Sequence, residues 1–283
     1  LGAALLSIPG ATIAPGGLPF LDALFTATSA VCVTGLIVVD TASAFSPLGQ
    51  SVILGLIQVG GLGIMAFAVS TVFLVRRRLT MSEAELLSFM LNERNRHMVM
   101  RQLAGVFIVA LVVELIGAVL LAGAFMAHGQ PPAQAAWYGV FHAVSAFANA
   151  GFALFSDSLE QFVHAPVVNG VVMLLIIAGG IGFGTLLIFR DGRRSAAAFN
   201  DAQEEMTYQP RIKLIGHRSS LRDRLREPRA LSVRVAVAGT ITLLVTGTVA
   251  FYALEARNSL LGMSIPQKYL ASLFQAVTVR TAG

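Results

Sequence analysis

The sequence predicts an all-α membrane protein built from repeated units, in which two spanning helices flank a short segment that enters the membrane and returns. Of the 283 residues, 55% are hydrophobic and 12% are charged, and the mean hydropathy is +0.75. An average soluble domain carries about 25% charged residues. The apolar residues lie in blocks of bilayer length, and the segments between these blocks resemble one another.

The apolar blocks predict the spanning helices. At a rise of 1.5 Å per residue, about 20 helical residues cross the hydrocarbon core of a bilayer. The blocks of this length are 52–75, 103–127, 167–189 and 231–254. Residues 1–13 are also apolar but too short to cross, so we interpret them as the end of a helix that begins before residue 1.

The basic residues predict the orientation. Segments 76–101 and 190–229 hold 16 of the 20 Lys and Arg residues, whereas 14–51 and 128–166 hold none. We expect the protein in the cell's inner (plasma) membrane. The positive-inside rule then places the two basic segments in the cytoplasm, and the intervening segments enter the membrane from outside. The pI is about 10, but the basic residues cluster beside the apolar blocks, as they do in the cytoplasmic loops of membrane proteins. We therefore expect a lipid bilayer around the protein and no nucleic-acid partner.

The outer segments contain a repeated motif, Phe-x-Ala-[Thr/Val]-[Ser/Thr], which begins at Phe25, Phe141 and Phe274. Each copy is followed 10, 10 and 9 residues later by a glycine, namely Gly35, Gly151 and Gly283. A second repeat lies in the next helix, where Gly-Gly-Leu-Gly-Ile at 60–64 resembles Gly-Gly-Ile-Gly-Phe at 179–183. Repeats of this kind indicate duplicated structural units.

The repeats divide the chain into units of helix, pore loop and helix. The first unit, 1–78, has a partial first helix, the second unit is 103–189, and the third, 231–283, is incomplete. Cytoplasmic connections at 79–102 and 190–230 join them. We expect the three pore loops to meet around a central pore in a pseudo-fourfold arrangement.

This layout predicts passage of a cation. Irregular backbone at membrane depth is tolerated only where it is buried in protein or lines a water-filled cavity. Carbonyl oxygens of such a segment can replace the hydration shell of an ion, and glycine permits positive φ without a side chain in the pore. The negative C-terminal end of each preceding short helix favours a cation near the pore axis.

The motif segments resemble the membrane subunit of the Trk/Ktr/HKT potassium-transporter superfamily, in its bacterial Ktr/Trk form. They are Ser-Ala-Val-Cys-Val-Thr-Gly-Leu at 29–36, Ala-Asn-Ala-Gly-Phe at 148–152 and Val-Arg-Thr-Ala-Gly at 279–283. The resemblance implies K⁺ as the transported ion, no organic cofactor in this chain, a homodimer, and gating by cytoplasmic nucleotide-binding (RCK-type) regulatory subunits.

The resemblance also implies the site residues. The selectivity filter is expected at Val33, Thr34, Gly35, Ala148, Asn149, Ala150, Gly151, Thr281, Ala282 and Gly283, whose backbone carbonyls would bind K⁺. Supporting positions are Ser29, Ser145, Thr278 and Arg280. Ala148 stands where many relatives have a second Asn. A fourth unit would close the pore, and we expect it after residue 283, with the gating loop that follows the third filter segment.

Alternatives remain open from the residues alone. A secondary transporter of a small solute or of Na⁺ would also use repeats and broken helices, although its repeats are usually inverted. An enzyme is disfavoured, since no nucleophile–base pair or metal-ligand set is evident in the sequence. Glu114 could line the ion path or be paired or protonated between helices, and Gln58 and Asn169 are expected to bond between helices.

Overall fold

The computed structural model describes residues 1–76, 94–180 and 228–281. Within these ranges the chain is helical and contains no β-strand; a single β-bridge joins Thr12 to Phe45. In chain order the α-helices are α1 (Gly2–Leu6), α2 (Phe20–Val31), α3 (Thr41–Ala44), α4 (Pro47–Arg76), α5 (Arg94–Ala127), α6 (Pro132–Ala148), α7 (Pro166–Gly180), α8 (Pro228–Glu255) and α9 (Ile265–Thr278). The predicted all-α class is therefore confirmed for the described ranges.

The long helices contain the predicted apolar blocks. Helices α4, α5 and α8 enclose 52–75, 103–127 and 231–254, while α7 covers the first part of 167–189 and the rest lies outside the described residues. Within the described ranges, Phe107–Ala127 and Val237–Glu255 are long and apolar enough to cross a membrane. The connections predicted to be cytoplasmic lie mostly outside the described residues.

The first apolar segment is less helical than expected. Residues 1–13 form a helix only over Gly2–Leu6, followed by a 3₁₀ turn at Pro9–Ala11. Proline has no backbone N–H and its ring clashes with the preceding turn of a helix. Pro9 therefore explains why the helix does not continue to residue 13.

Proline also marks the helix starts. Helices α4, α6, α7 and α8 each begin on a proline, where the missing N–H has no intrahelical role and the fixed φ suits a helix. Helix α9 starts with a capping box, in which the Ser264 N–H donates to the Gln267 side-chain oxygen at 3.0 Å. Such reciprocal bonds satisfy N–H groups that a helix start leaves free.

Two apolar clusters organise the interior, and α6 contributes to both. One cluster joins the first and second units through Leu6, Phe45, Ile53, Ile57, Phe141 and Phe152. The other lies within the second unit and reaches the third through Leu121, Phe125, Phe147, Phe162, Val168 and Val277. Helix α6 and the loop after it therefore lie between the first and the third unit.

Large apolar side chains also cover the outer surfaces of the long helices. Leu115 and Val119 of α5 are each 65% exposed, and Leu243 and Val249 of α8 are each 61% exposed. Exposed apolar surface on this scale marks contact with a membrane or with other protein. Since two of these helices also have spanning length, we assign these faces to lipid or to neighbouring transmembrane helices.

Candidate functional site

Loop 1, residues 32–35, follows α2 and has an unusual backbone. Val33 (φ 56°) and Gly35 (φ 72°) both take positive φ. The Thr34 N–H donates to the Ser29 carbonyl at 2.9 Å, and the Thr34 hydroxyl donates to the Ser29 hydroxyl at 3.0 Å. Since a β-branched residue at positive φ is a rare and strained state, these bonds fix a conformation that the isolated chain would avoid.

Loop 2, residues 149–151, follows α6 and has the same backbone pattern. Asn149 (φ 60°) and Gly151 (φ 73°) take positive φ. The Ala150 N–H donates to the Ser145 carbonyl at 2.8 Å. The Ser145 hydroxyl donates to the Phe152 carbonyl at 2.7 Å and accepts the Phe152 N–H at 3.0 Å, so one buried side chain holds both polar groups of Phe152.

Loops 1 and 2 match residue by residue with a constant offset. Positions 33 and 149, 35 and 151, and the bonded pairs 34 with 29 and 150 with 145 are each 116 residues apart. The helix-end bonds match as well: the Val33 N–H donates to the carbonyl of Ala30 at 3.3 Å and the Asn149 N–H to that of Ala146 at 3.1 Å. The sequence repeat is therefore also a repeat of backbone conformation.

Loop 3, residues 279–283, follows α9 and is described as far as Thr281. Its first residue, Val279, keeps a right-handed helical conformation with φ −58°. The Thr281 N–H donates to the Thr278 carbonyl at 2.9 Å, and the Thr281 hydroxyl donates to the same oxygen at 3.0 Å. The predicted filter positions Ala282 and Gly283 lie outside the described residues.

Glycines of the long helices lie directly against the ends of the short helices. A Cβ on Gly60 of α4 would overlap the Val31 carbonyl, and a Cβ on Gly179 of α7 would overlap the Phe147 carbonyl. Val31 and Phe147 are themselves 116 residues apart. Only glycine permits this approach, and close backbone contact at small residues is how helices associate in membranes.

The next residue of each glycine pair faces the following unit. A Cβ on Gly61 would lie 3.1 Å from Ala148 Cβ of the second unit, and a Cβ on Gly180 would lie 2.6 Å from Arg280 Nη2 of the third. Gly61 with Ala148 and Gly180 with Arg280 are thus similar contacts between successive units. Ala148, predicted as part of the filter, is the last residue of α6.

Cavities lie between the loops in the part of the chain that the structure describes. A cavity of about 140 Å³ is lined by Val33 of loop 1 and Asn149 of loop 2, together with Glu114. A second, of about 70 Å³, is lined by Asn149 and Gly151 of loop 2 and by Thr281 of loop 3. The structure therefore brings loops 1 and 2 to one cavity and loops 2 and 3 to the other.

The predicted supporting residues lie next to these loops. Ser29, Ser145 and Thr278 are 4%, 3% and 8% exposed. Ser29 and Ser145 contact the loops through the bonds given above, and the Thr278 hydroxyl donates to the Gln275 carbonyl at 3.1 Å. Arg280 Nη1 is buried and has no hydrogen-bond partner among the described residues.

His142 is a loop contact that the sequence did not reveal as one. Its Nδ1 lies 2.8 Å from the Tyr138 carbonyl, and its Nε2 lies 3.2 Å from the Leu154 N–H. Because Nε2 must accept from this N–H, Nδ1 carries the proton and donates to Tyr138. The signal was its place directly after Phe141 in the repeated motif, where Thr26 of the first unit likewise donates to the Asp22 carbonyl at 2.8 Å.

Glu114, Gln58 and Asn169 lie within the helix bundle. The Gln58 amide of α4 donates to the Glu114 carboxylate of α5 at 3.0 Å, which confirms the expected bond between helices. Asn169 was expected to do the same but instead donates to the carbonyls of Phe162 and Val163, at 2.9 and 3.2 Å. It therefore ties the segment before α7 to α7 itself.

Asp40 links the segments that follow loops 1 and 2. Its carboxylate accepts from the hydroxyls of Ser43 and Ser156, each at 2.6 Å, and from the Ala42 N–H at 3.1 Å. Burial acts to raise the pKa of Asp40, but these hydrogen bonds outweigh it, so the pKa lies below the ordinary value of 3.8. Asp40 is thus a negatively charged N-cap of α3 and a contact between units.

These features define a helical membrane protein whose short helices end in repeated, glycine-containing loops. Residues 9–283 match the family model described as TrkH, cation transport protein, and the chain belongs to this family. The family is one of transport proteins, which is not an enzyme class.

Curated relatives agree with this assignment. The chain is 36% identical over 290 residues to the Ktr system potassium uptake protein B of Bacillus subtilis, covering 100% of the chain and 56% of the relative. It is 32% identical to the protein of the same name from Vibrio alginolyticus, covering 99% and 55%. It is 33% identical to the potassium/sodium uptake protein NtpJ of Enterococcus hirae, covering 100% and 56%. The chain spans just over half the length of these relatives.

Proposed function

We propose that the chain forms most of the membrane subunit of a potassium uptake system, and that K⁺ passes through a filter made by the backbone of loops 1, 2 and 3. The observation that carries this proposal is the backbone repeat: two loops, 116 residues apart, have the same positive-φ positions and the same bonds to their helices. The names of the curated relatives, which are potassium and potassium/sodium uptake proteins, support K⁺ as the ion.

The chemistry follows from the backbone. In each of loops 1 and 2, two positive-φ residues flank one residue with negative φ. Because the sign of φ alternates along each loop, successive carbonyls can face the same side, where they replace water around a K⁺ ion. Helices α2 and α6 end at these loops, and the partial negative charge of a helix C-terminus, about half an elementary charge, adds attraction for a cation.

The units form a ring in this proposal. Gly60 and Gly179 contact the helix ends of their own units, while Gly61 and Gly180 contact the following unit, which supports a rotational relation between successive units. A fourth unit completes the pseudo-fourfold ring and closes the pore. The segments rich in Lys and Arg lie in the cytoplasm, and the loops enter from outside.

The further assembly belongs to the same proposal. The membrane subunit forms a homodimer and is gated by cytoplasmic nucleotide-binding subunits. The word "system" in the names of the Ktr relatives supports additional components. A secondary transporter that carries Na⁺ is the competing function, and the name of the Enterococcus relative supports keeping it as an alternative.

The test measures ion preference in the full-length protein. We expect reconstituted vesicles to take up a rubidium tracer in competition with K⁺ and much less with Na⁺. Gly35→Ser adds a side chain at φ 72° and should reduce the K⁺ over Na⁺ preference by about tenfold, or ~1.4 kcal/mol. Gly55→Ala is the control, because a Cβ there meets nothing within 4 Å. Unchanged selectivity in Gly35→Ser would contradict the filter assignment. If Na⁺ inhibited rubidium uptake as strongly as K⁺ does, the competing function would be favoured.

A further inference from the structure

The cavity between loops 1 and 2 contains a buried carboxylate. Glu114 of α5 is 5% exposed and lines this cavity of about 140 Å³. The amide of Gln58 on α4 donates to one carboxylate oxygen at 3.0 Å. A carboxylate at membrane depth is costly unless it is paired, protonated or solvated, so this group requires a partner of positive charge or a proton.

The oxygens around the cavity are of the kind that bind a cation. Gln58 Oε1 and Asn149 Oδ1 are both buried and have no hydrogen-bond partner among the described residues, and both residues line the cavity. The Gln58 and Asn149 amide nitrogens are already used, by Glu114 and by the Phe147 carbonyl. The side chains therefore offer one carboxylate and two amide oxygens, which are hard ligands.

The residues that line the cavity carry a single negative charge. Among the described residues that line the cavity, Glu114 is the only charged one. Arg280 reaches Gly180, next to the lining residue Gly179, but does not itself line the cavity. One carboxylate balances the charge of a monovalent ion, whereas a divalent ion would leave one positive charge unbalanced in a buried site.

The size of the cavity fits a partly hydrated ion. One water needs about 10–15 Å³ of cavity volume, so the cavity of about 140 Å³ can hold an ion together with several waters. We propose that the side chains of Glu114, Gln58 and Asn149 form a binding site for a small monovalent cation, with ligands other than the backbone carbonyls of the loops. Because Val33 and Asn149 belong to loops 1 and 2, an ion here stabilises the contact between the first two units.

Equilibrium binding at this site can be measured without ion flux, which separates its test from that of the proposed function. The experiment uses the full-length protein in lipid nanodiscs, with choline as the inert background and Na⁺ as the probe. Equilibrium binding of a Na⁺ tracer is compared between the wild type, Glu114→Gln and the control Glu160→Gln, whose residue is exposed and is not among those that line the cavity. We expect Glu114→Gln to lose about one bound Na⁺ per chain and at least tenfold in apparent affinity, while Glu160→Gln binds as the wild type does.

A second measurement keeps the result interpretable if Glu114→Gln is unstable. Gln58→Leu retains the carboxylate but removes an amide ligand, and we expect it to bind Na⁺ several-fold more weakly than the wild type. We expect Glu114 to be ionised in the wild type, so the infrared spectra of the wild type and Glu114→Gln should not differ by a protonated carboxyl band. Such a band, or Na⁺ binding in Glu114→Gln equal to that of the wild type, would overturn the site.

The remaining outcomes also discriminate. If Glu114 pairs with Arg280 instead, Arg280→Gln and Glu114→Gln will be non-additive in thermal stability while Na⁺ binding stays unchanged, and the proposal fails. Loss of rubidium uptake in Gly35→Ser with Na⁺ binding retained would support the site independently of the filter. Conversely, a protein that shows no K⁺ preference but loses Na⁺ binding in Glu114→Gln would keep the site and contradict the proposed function.

Discussion

Loops 1 and 2 have the same backbone but different surroundings. Leu36, directly after loop 1, is 63% exposed, whereas its equivalent Phe152 is 3% exposed. Two residues later, Val38 is 47% exposed and Leu154 is 3% exposed. The segment after loop 2 belongs to the apolar cluster that the first unit shares, so a preceding unit covers it.

Local bonds therefore set the loop conformation, whereas a neighbouring unit holds the segment after the loop in place. Loop 1 keeps its two positive-φ residues although Leu36 and Val38 are exposed. Loop 2 adds bonds from Ser145 and His142 to Phe152 and Leu154. In the ring that we propose, the fourth unit would cover the segment after loop 1 as the first unit covers the segment after loop 2.

The largest expected effect comes from the glycines behind the helix ends. Gly179→Ala should abolish folding or uptake, because its Cβ would overlap the Phe147 carbonyl and approach Asn149 Nδ2 to 2.9 Å. Gly60→Ala should cost less, about 1–3 kcal/mol, because the less enclosed loop 1 can shift. The melting temperature and tracer uptake of the full-length protein measure both.

Two helical glycines provide the controls. A Cβ at Gly170 of α7 or Gly55 of α4 meets nothing within 4 Å, so alanine there should be neutral or slightly stabilising. Equal tolerance of Gly179→Ala and Gly170→Ala would contradict the close approach of α7 to the end of α6.

The next largest effects on stability are expected at the serine hydroxyls that bond to the loops, and these effects should differ between loops 1 and 2. Ser145→Ala leaves the buried N–H and carbonyl of Phe152 without their partner, at about 1–3 kcal/mol. Ser29→Ala removes only the bond from the Thr34 hydroxyl, at about 0.5–1.5 kcal/mol. The melting temperature of Ser145→Ala should therefore lie below that of Ser29→Ala. The reverse order would show that loop 1 depends more on its hydroxyl than loop 2 does.

His142 should have a smaller effect than Ser145. His142→Leu preserves the apolar contacts but leaves the Leu154 N–H unpaired, which we expect to cost about 1–2 kcal/mol. Thr26→Val is the matched change in the first unit, where the hydroxyl bonds only to its own helix. Melting temperatures that fall equally in both variants would contradict a specific role for His142 in holding the segment after loop 2.

Much of this arrangement could be predicted from the sequence. Apolar blocks of spanning length located the long helices, and the motif at Phe25, Phe141 and Phe274 located the short ones, because both signals are local. The contacts of Gly60 and Gly179 with the helix ends could not be predicted, since they join residues distant in the chain. The bond from His142 to Leu154 was missed for the same reason, and a histidine on an apolar helix face gives no sign of its partner.

The smallest effect is expected at Asp40, where the first two units meet through equivalent positions, 40 and 156. Asp40→Asn keeps a good helix cap and removes the charge, so it isolates the charged bonds to Ser43 and Ser156. Because the pKa of Asp40 is lowered in the folded protein, its stabilisation is present above the ordinary value of 3.8 and is lost as the pH falls through the lowered value.

The difference in melting temperature between the wild type and Asp40→Asn should therefore be small at neutral pH and disappear in strong acid. Ser156→Ala should reproduce part of it at neutral pH, since it removes one of the hydroxyls that lower the pKa. A difference that grows as the pH falls would mean that the carboxylate is destabilising where it lies. The link between the first two units would then depend on their shared apolar cluster and on the bond from Gln58 to Glu114, and no longer on the charge of Asp40.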